Sequence, residues 1–553
     1  NQGPSAGNRK ARMGLAVVHT RTLEGMQAEP VQVEVHLANG LPCMTLVGLA
    51  DTEVREARER VRSALGHSGW DYPVNQRITV SLAPADLPKA SSRFDLPIAL
   101  GILAAQGLLD PQALRAHEFA GELSLAGELR PVHGALALAL GLRRSAQAAG
   151  RPPARLVLPA ANAAEAALVD GVTVLGARHL REVVQHLLPG AQAVPLPPAR
   201  AAVGGAAEAS GGAAAAPSAA PAPAPCLRDI RGQSEGKRAL EVAAAGHHSV
   251  LLVGPPGAGK SMLAQRLPGL LPPLTPEQAL ECAALRSLAG GLGGASRANK
   301  AGPESATGWR TRPWRAPHHS CTMAALVGGG QPPRPGEISL ADHGLLFLDE
   351  LVEFPRRTLE ALREPLETGH VTISRAGRQA RFPSRLLLVA AMNPCPCGWW
   401  GSRAPSAPAC RCTPDAVARY QGRLSGPLLD RLDLQLEVPA ATPAELLQPP
   451  QGEDSLTVAQ RVARAREAQQ QRQGCCNAEL GAAALLEHAP LKGASQAFLQ
   501  RAAERLGLSG RGLHRVLRVA RTLADLAQSP TVEVPQLAEA LQLRRGLAPR
   551  PAD

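Results

Sequence analysis

Short runs in which apolar and polar residues alternate dominate the first third of the chain, as in VQVEVHLA and RITVSLA, and each run predicts a half-buried strand. Between these runs lie stretches with helical spacing, such as EVREARERVRSAL. The pattern begins near Met13, after a polar and Gly-rich opening, and it ends near Pro189. We therefore expect a disordered tail at residues 1–12 and an α+β domain at residues 13–190.

Ala, Gly, Pro and Ser make up almost all of residues 191–225. Such a composition cannot bury a core, so this stretch is predicted to be a linker, which if flexible would span roughly 30–35 Å. Apolar strands and helices return at residues 226–445 and predict an α/β unit. A second break rich in Pro, Gln and Gly, residues 448–452, precedes a mostly helical end at residues 453–546.

Two segments of the α/β unit carry its chemistry, and the first is GPPGAGKS. It follows the apolar run VLLV and matches the phosphate-loop pattern G-x-x-x-x-G-K-[ST]. Backbone N–H groups of such a loop surround the phosphates, its lysine reaches the β- and γ-phosphates, and its hydroxyl ligates Mg²⁺. The predicted ATP-binding residues are Gly254, Pro255, Pro256, Gly257, Ala258, Gly259, Lys260 and Ser261.

The second segment is the apolar run LLFL, which ends in Asp349 and Glu350. We expect Asp349 to hold Mg²⁺ together with Ser261, and Glu350 to polarise the attacking water. The two segments in this order predict an ATPase with Lys260 and Glu350 as catalytic residues. Far more chain separates them than one or two strand–helix units need, so an insertion is expected at residues 312–338, which are rich in Arg, His, Gly and Pro.

Downstream, HVTISRAGRQARFP predicts two strands around a turn between Arg375 and Arg378. A buried apolar strand then ends at Asn393. Together with Arg381, the turn places three cations on one hairpin. The hairpin could be a solvated tip or an element that grips phosphates, and the second interpretation is preferred.

Four cysteines begin two residues after Asn393 and form C-x-C, a Gly/Pro/Ser-rich loop and a second C-x-C. Four thiolates can close a tetrahedral zinc site, while free thiols and a redox role are the alternatives. Trp399 and Trp400 could stack on a base, but packing on the loop is expected. The predicted zinc ligands are Cys395, Cys397, Cys410 and Cys412.

Two further pairs are interpreted without a metal. Adjacent His318 and His319 point in different directions on most backbones, so we expect a structural or phosphate-contact role for them within the insertion. Adjacent Cys475 and Cys476 are interpreted as incidental.

The whole chain is basic, with 59 Lys and Arg against 47 Asp and Glu, a net charge of +12 and a pI near 9.7. This charge favours a polyanionic partner such as nucleic acid, although an Arg-rich and Ala-rich composition alone could produce it. Ten cysteines without a paired framework, and no cleavable apolar leader, predict a reducing cytoplasm. No apolar run approaches the length of a membrane span, so no membrane association is expected.

These features together resemble an AAA+ ATPase with a helical lid. The insertions before the Asp-Glu strand and before Asn393 resemble the helix-2 insert and pre-sensor hairpin of the MCM and magnesium-chelatase clade. The chain is similar throughout, from about Met13 to Gly546 without the linker, to the bacterial ComM/YifB family, often labelled Mg-chelatase-like. The phrases that carry this likeness are GLPCMTLVGLADTEVREARERVRSAL, SLAPADLPK, RAPHHS, VGGG, PGEISLADHGLLFLDEL, LREPLETG, AAMNPCPCG, RLSGPLLDRLDL and LRVARTLADL.

The resemblance implies roles for further residues. Asn393 is similar to the sensor that orients the attacking water, and Arg431 to the arginine finger that reaches a neighbour's γ-phosphate. Arg511 is similar to the second sensor, with Arg518 as the alternative. A finger that acts in trans implies a ring, and the family expectation is a homo-hexamer around DNA. The pore arginines expected to contact DNA are Arg312, Arg315, Arg375, Arg378 and Arg381.

The first domain resembles the Lon-protease-type domain that this family fuses to its ATPase. Lon proteases use a Ser nucleophile and a Lys base. Here the nucleophile position falls on Arg93, beside Ser91 and Ser92, and the base position falls near Leu136, where the helix start GALALAL holds no lysine. We expect no proteolysis, and instead a docking or ring-assembly domain that could also contact DNA.

The sequence and the resemblance together predict an ATP-driven hexameric DNA motor in the bacterial cytoplasm. By resemblance, its activity is branch migration on single-stranded and branched DNA during natural transformation and homologous recombination, without sequence preference. The alternative is a chelatase-type ATPase that remodels a protein partner. A third function, an ATP-dependent protease, depends on the missing dyad.

Overall fold

The chain forms two α/β units followed by a helical one. The first unit lies within residues 14–201, the second within residues 225–447 and the third within residues 452–545. The computed structural model describes residues 14–48, 52–89, 91–201, 225–290, 310–330, 332–375, 378–402, 408–447, 449–450 and 452–545.

The first unit surrounds a mixed sheet. Its strands are β1 (Leu15–Glu24), β2 (Gln27–Asn39), β3 (Cys43–Val47), β4 (Gln76–Ala83), β5 (His117–Phe119), β6 (Glu122–Leu123), β7 (Leu129–Arg130), β8 (Arg155–Pro159) and β9 (Val174–Ala177). Its helices are α1 (Thr52–His67), α2 (Asp95–Ala105), α3 (Pro111–Arg115), α4 (Ala135–Ala148), α5 (Ala160–Ala166) and α6 (Leu180–Leu187). Among the described residues, seven strands pair in the order β3-β4-β2-β1-β5-β8-β9.

Alternation in the sequence determines the pairing of this sheet. Val31, Val33 and Val35 of β2 are buried on one face, while the intervening polar residues face outward. Strands β1, β2 and β4 pair antiparallel, and β5, β8 and β9 follow in parallel. Helix α2 is apolar almost all round and is buried throughout, because it lies between the sheet and α1. The predicted strands and the predicted helix α1 are confirmed.

The chain stays on the first unit beyond residue 190. Ala199 N–H donates to Val174 O at 2.8 Å, and Leu196 N–H donates to His186 Nδ1 at 3.0 Å. The stretch predicted as a linker, residues 191–225, therefore overlaps the folded unit up to residue 201. The tail predicted at residues 1–12 and the linker residues 202–224 lie outside the described part of the chain.

The second unit is built on parallel strands. Its strands are β10 (Val250–Val253), β11 (Trp314–Arg315), β12 (Gly328–Gly329), β13 (Arg334–Pro335), β14 (Leu345–Leu348), β15 (His370–Arg375), β16 (Arg378–Pro383), β17 (Leu387–Met392) and β18 (Leu434–Glu437). Its helices are α7 (Ser234–Gly246), α8 (Lys260–Arg266), α9 (Pro276–Ala289), α10 (Met323–Val327), α11 (Glu337–Leu340), α12 (Arg356–Glu360), α13 (Arg363–Thr368), α14 (Pro414–Gln421), α15 (Gly426–Leu429) and α16 (Pro443–Leu447).

The central sheet of this unit has the order β11-β14-β17-β10-β18, with all neighbouring strands parallel. Strands β10, β14 and β17 are uniformly apolar because both faces of the sheet are covered. Strands β15 and β16 form a separate antiparallel hairpin, hereafter the arginine hairpin, with Arg375 opposite Arg378. This confirms the predicted hairpin and the apolar strand that follows it.

The region predicted as an insertion, residues 312–338, contains strands and helices in its described parts, residues 312–330 and 332–338. Its first residues form β11, which pairs with β14 at the edge of the central sheet. Helix α10 and the small ladder of β12 with β13 follow. The prediction of a simple insertion here is corrected, since β11 is part of the sheet itself; residues 291–309 lie outside the described residues.

The third unit consists of helices α17 (Ser455–Gln473), α18 (Ala482–His488), α19 (Ala494–Leu506), α20 (Gly510–Leu526) and α21 (Val534–Gln542). Helix α20 is strongly amphipathic, and its apolar face packs on α7, α17 and α21. One hydrophobic core therefore runs from the central sheet into the helical unit. None of the described helices is both long enough and apolar enough to span a bilayer.

The first two units pack directly on each other. Apolar residues of α4 and α9 share one buried cluster, and Gly134 N–H donates to Ser287 O at 3.2 Å. The β1–β2 turn lies against the arginine hairpin, where a Cβ on Gly25 would lie 2.9 Å from Arg381 O. The sequence predicted only a flexible connection between these units, whereas the contact is a packed interface.

Candidate functional site

Three neighbouring strands of the central sheet end at one edge. The phosphate loop, residues 254–261, follows β10, the acidic pair Asp349 and Glu350 follows β14, and Asn393 follows β17. Because β17 lies between β10 and β14 and all three are parallel, these groups meet at the carboxyl edge. The sequence-predicted residues of the nucleotide site are thus brought together.

The Lys260 side chain occupies the centre of this site. Its ammonium donates to Gly254 O at 2.6 Å, to Pro255 O at 2.9 Å and to Asn393 Oδ1 at 3.0 Å. Burial lowers the pKa of Lys260, while Asp349 and its acidic neighbour act in the opposite direction. The phosphate loop reaches α8 through Gly259, whose φ of +88° is a backbone conformation that favours glycine.

The residues predicted to hold Mg²⁺ are in contact. Ser261 Oγ donates to Asp349 Oδ2 at 2.8 Å, and Asp349 Oδ1 accepts the Glu350 N–H at 2.9 Å. A hydroxyl and a carboxylate at one point, beside a phosphate loop, are the oxygen ligands that Mg²⁺ prefers. The donor set therefore fits a magnesium ion shared with nucleotide phosphates.

A histidine that the sequence did not connect to catalysis contacts the predicted catalytic base. His319 Nδ1 lies 3.0 Å from Glu350 Oε2, and the rings of His318 and His319 are 4.0 Å apart. Glu350 itself has a φ of +51°, an uncommon value for a residue with a side chain. His319 follows β11, so the sheet rather than sequence proximity brings it to the site. The RAPHHS segment, which contains His319, was the sequence feature from which this contact could have been suspected.

The two arginines that resemble finger and second sensor meet at one carboxylate. Arg431 donates to Glu367 and, at 2.8 Å, to Pro427 O, and only 7% of it is exposed. Arg511 Nη2 lies 3.8 Å from Glu367 Oε1, and 65% of its side chain is exposed. The hydrogen bond from Arg431 lowers the pKa of Glu367. Within the described residues, no hydrogen bond or ion pair joins these arginines to the chain's own phosphate loop or acidic pair.

Arg515 and Arg518 of α20 have different partners, and Arg515 is the one of the two that contacts the ATPase unit. Arg518 donates to a backbone carbonyl within the helical unit, and burial lowers its pKa. Arg515 pairs with Asp433, which also accepts the Ser249 N–H at 3.1 Å. Arg511 therefore differs from the half-buried Arg518 in having an exposed guanidinium.

The predicted DNA contacts of the insertion have partners within the chain. Arg312 donates to Pro272 O at 2.7 Å and to His343 O at 2.6 Å, and burial lowers its pKa to about 10. Arg315 makes a bidentate pair with Glu337, with contacts of 2.6 and 2.7 Å. Arg312 thus ties the insertion to the rest of the ATPase unit, whereas the pair of Arg315 with Glu337 lies within the insertion.

Of the three arginines predicted on the arginine hairpin, Arg381 is the one whose side chain the structure describes. Arg375 and Arg378 are paired residues at its turn, and their side chains lie outside what the structure describes. Arg381 is exposed, and its guanidinium donates to His370 Nδ1 at 3.0 Å.

The four predicted zinc ligands converge. Their sulfur atoms all lie within 4.8 Å of one another, and three of the separations are 3.3, 3.5 and 3.8 Å. The edge of a tetrahedral zinc–thiolate site is about 3.8 Å, so the donor set fits zinc. The Trp399 N–H lowers the pKa of the Cys397 thiol to about 6. Residues 395–412 are hereafter the cysteine loop.

The first unit holds no serine–lysine dyad in its described residues. Arg93 and Leu136 at the two predicted positions are buried, and the Ser92 hydroxyl donates to Glu122. The nearby ammonium of Lys89 is also buried and donates to a backbone carbonyl rather than to a serine.

The fold and the site define a phosphate-loop nucleotide site of the AAA+ class. Family models for parts of one protein match the chain in order: "Subunit ChlI of Mg-chelatase" at residues 33–162, "Magnesium chelatase, subunit ChlI" at residues 226–446, and the ChlI C-terminal model at residues 452–544. They cover all three units.

Relatives that match nearly the full length of the chain identify its family within the AAA+ class. YifB of Salmonella typhimurium is 45% identical over 96% of this chain and 97% of its own, and the competence protein ComM of Haemophilus influenzae is 45% identical over 96% and 98%. A local match, 41% over 59 residues, links 11% of the chain to 7% of the maternal DNA replication licensing factor mcm3 of Xenopus laevis. The chain belongs to the ComM/YifB family of magnesium-chelatase-like AAA+ ATPases.

Proposed function

We propose that this protein is an ATP-driven motor that moves DNA through a ring, with branch migration as its activity. ATP and Mg²⁺ bind at the phosphate loop, where Ser261 and Asp349 hold the metal ion. Glu350 polarises the attacking water, Asn393 orients it, and Lys260 stabilises the developing charge on the phosphates. The observed contacts of Lys260 and Ser261 support these roles.

The arrangement of the remaining arginines supports a ring. Arg431 and Arg511 share Glu367, and the described residues do not join them to the chain's own nucleotide site. We place both at the neighbouring subunit's nucleotide, where Arg431 acts as finger and Arg511 as second sensor. Arg431 must leave Glu367 to do so, so nucleotide binding at the interface and opening of this ion pair occur together. A closed ring of six subunits is the proposed assembly.

One observation carries the DNA part of the proposal. The arginine hairpin continues after three residues into β17, and β17 ends beside Asn393. A displacement of the hairpin by DNA therefore reaches the sensor through one short strand. The exposed guanidinium of Arg381 and the two arginines at the turn suit phosphate contacts without sequence preference. Arg312 and Arg315 are assigned a structural role in the insertion rather than a DNA contact, because both guanidiniums have partners within the chain.

The names of the relatives support the proposal that the protein acts on DNA. ComM is named as a competence protein, and mcm3 is named as a DNA replication licensing factor. Branch migration in natural transformation and recombination is the cellular process we propose. The second candidate is a chelatase-type ATPase that remodels a protein, which the name of the matching family model favours.

The proposal is tested by ATP hydrolysis with no DNA, with single-stranded DNA and with a four-way junction, with Lys260→Ala as the blank. We expect DNA to raise the turnover rate severalfold, and less so at high salt because phosphate contacts are screened. A substantial turnover rate that does not respond to DNA would reject the motor and favour the protein-remodelling function.

A further inference from the structure

The cysteine loop contacts the nucleotide site at two points. Asn393, two residues before Cys395, accepts a hydrogen bond from Lys260. Gly398 lies against Pro256 of the phosphate loop, where a Cβ on Gly398 would lie only 2.6 Å from Pro256 Cδ. No real Cβ contact is this short, so the cysteine loop and the phosphate loop are packed directly together.

Cys395 determines where both contact points lie. It is fully buried, its Sγ accepts the Trp400 N–H at 3.3 Å, and its carbonyl accepts the Gly398 N–H at 3.0 Å. The Gly398 backbone has a φ of +84° within this turn. A change in the position of Cys395 therefore moves Gly398 and, through Pro394, the sensor Asn393.

The second pair of cysteines, Cys410 and Cys412, lies next to helix α14, whereas the first pair lies next to the nucleotide site. Cys410 and Cys412 lead into α14, whose helix start is capped by Thr413 through a 3.3 Å contact with Ala416 N–H. The last residue of α14, Gln421, donates to Pro394 O at 2.8 Å. A metal bound to the four sulfurs would thus join the segment of Cys395 and Cys397, which contacts the nucleotide site, to the segment of Cys410 and Cys412, which precedes α14. The hydrogen bond from Gln421 to Pro394 O joins the other end of α14 to the first segment.

We propose that zinc on the four cysteines and nucleotide on the phosphate loop are coupled. The metal fixes Asn393 and Pro256 where nucleotide binding needs them, and bound nucleotide in turn tightens zinc, because coupling between two sites is reciprocal. Zinc loss would then act as an off-switch for the nucleotide site. This inference rests on the proposed ATP site, but not on the proposal that the protein moves DNA.

The coupling is tested on the full-length chain. Zinc content is measured by mass spectrometry of the purified protein, and zinc affinity by competition with a chromophoric chelator, with and without Mg²⁺ and a non-hydrolysable ATP analogue. We expect one zinc ion per chain, bound at least about fivefold more tightly with the analogue present, as is typical of coupled sites. Lys260→Ala should remove the difference. Absence of zinc, or one zinc affinity in both conditions, would overturn the inference.

Variants separate coupling from simple misfolding. Gly398→Ala keeps all four thiols, so it should keep zinc. It should weaken binding of a fluorescent ATP analogue by about tenfold, because the added Cβ would overlap Pro256 of the phosphate loop. Cys410→Ser should lose zinc and show a similar loss of nucleotide affinity. Cys43→Ser, an exposed cysteine of β3, is the control and should change neither. Gly398→Ala with normal nucleotide affinity would contradict the inference. If ATP hydrolysis does not respond to DNA but zinc and nucleotide binding remain coupled, only the proposal that the protein moves DNA is rejected.

Discussion

The buried carboxylate of Asp433 holds the helical unit on the ATPase unit, and its removal gives the sharpest stability prediction. Asp433 is 4% exposed, pairs with Arg515 of α20, and accepts hydrogen bonds from Ser249 N and Ser249 Oγ at 3.1 and 3.3 Å. Its Oδ2 also lies 3.5 Å from His248 Nδ1. Asp433→Ala leaves the 14%-exposed Arg515 side chain without this carboxylate.

The loss of stability in Asp433→Ala can be estimated from these contacts. Breaking a buried ion pair by removing one partner costs about 3–5 kcal/mol, because the other charge stays buried. We therefore expect Asp433→Ala to lower the free energy of opening of α20 by about 4 kcal/mol. The matched control is Glu539→Ala, which removes a 2.8 Å pair with Arg238 that also joins the two units. Since both partners are more than one-third exposed, this change should cost at most about 1 kcal/mol.

Hydrogen exchange of peptides from α20 measures this quantity, since a multi-unit chain does not unfold in one step. A loss of 4 kcal/mol corresponds to a fall in amide protection of roughly three orders of magnitude, from the relation of 1.4 kcal/mol to tenfold. Protection of α20 in Asp433→Ala no lower than in Glu539→Ala would show that the Asp433–Arg515 pair does not hold α20 in place. Thermal unfolding of both variants provides an independent comparison.

The same residue determines a pH dependence. Burial raises the pKa of Asp433, but Arg515 and His248 outweigh this effect and hold the pKa well below its ordinary range. A carboxyl group with a lowered folded-state pKa contributes stability above its unfolded pKa of about 3.9, and this contribution is lost as the pH falls through the folded value. Protection of α20 should therefore lose the Asp433 contribution only below about pH 4.

Three further predictions concern the nucleotide and DNA sites. Glu350→Gln should keep nucleotide affinity but lower kcat by at least about 100-fold in a phosphate-release assay, because it loses the base, and more than a tenth of wild-type turnover would contradict this role. Arg431→Ala alone should lose about 1,000-fold in kcat, yet a mixture with Lys260→Ala should recover turnover at interfaces that combine an intact phosphate loop with an intact finger. A mixture without recovery would argue against action in trans. Arg378→Ala should lower DNA-stimulated turnover more than basal turnover, and equal losses would indicate a structural hairpin.

Local patterns predicted the parts of the site that depend on short stretches of sequence. The phosphate loop, the acidic pair after β14 and Asn393 after β17 each follow an apolar run that predicts a buried strand, and the role of Asn393 came from the family resemblance. Once these strands are parallel neighbours, their carboxyl ends must meet. The arginine hairpin followed from its alternation and its turn.

Contacts between segments that are far apart in the sequence could not be predicted from local sequence patterns. His319 reaches Glu350 because β11, only two residues long, pairs with β14, and a strand of that length has no readable period. The Asp433–Arg515 pair joins residues far apart in sequence. Both are determined by the tertiary fold, so residue spacing alone could not identify them.

The boundary after the first unit was misjudged for a different reason. Residues 191–201 have the Ala- and Pro-rich composition of a linker, but they are held by backbone hydrogen bonds, such as that of Ala199 N–H to Val174 O. Backbone pairing does not depend on side-chain type, so composition does not report it. The packing of α4 on α9 was similarly hidden, because an apolar helix face does not name its partner.

The motor function is tested most directly by strand movement in a labelled four-way junction. The full-length chain is mixed with the junction and ATP, and product strands are followed over time beside Lys260→Ala and a non-hydrolysable analogue. We expect the wild-type chain to convert the junction only with hydrolysable ATP, and neither control to convert it. An intact junction in the presence of rapid ATP hydrolysis would contradict the proposal that this enzyme moves DNA.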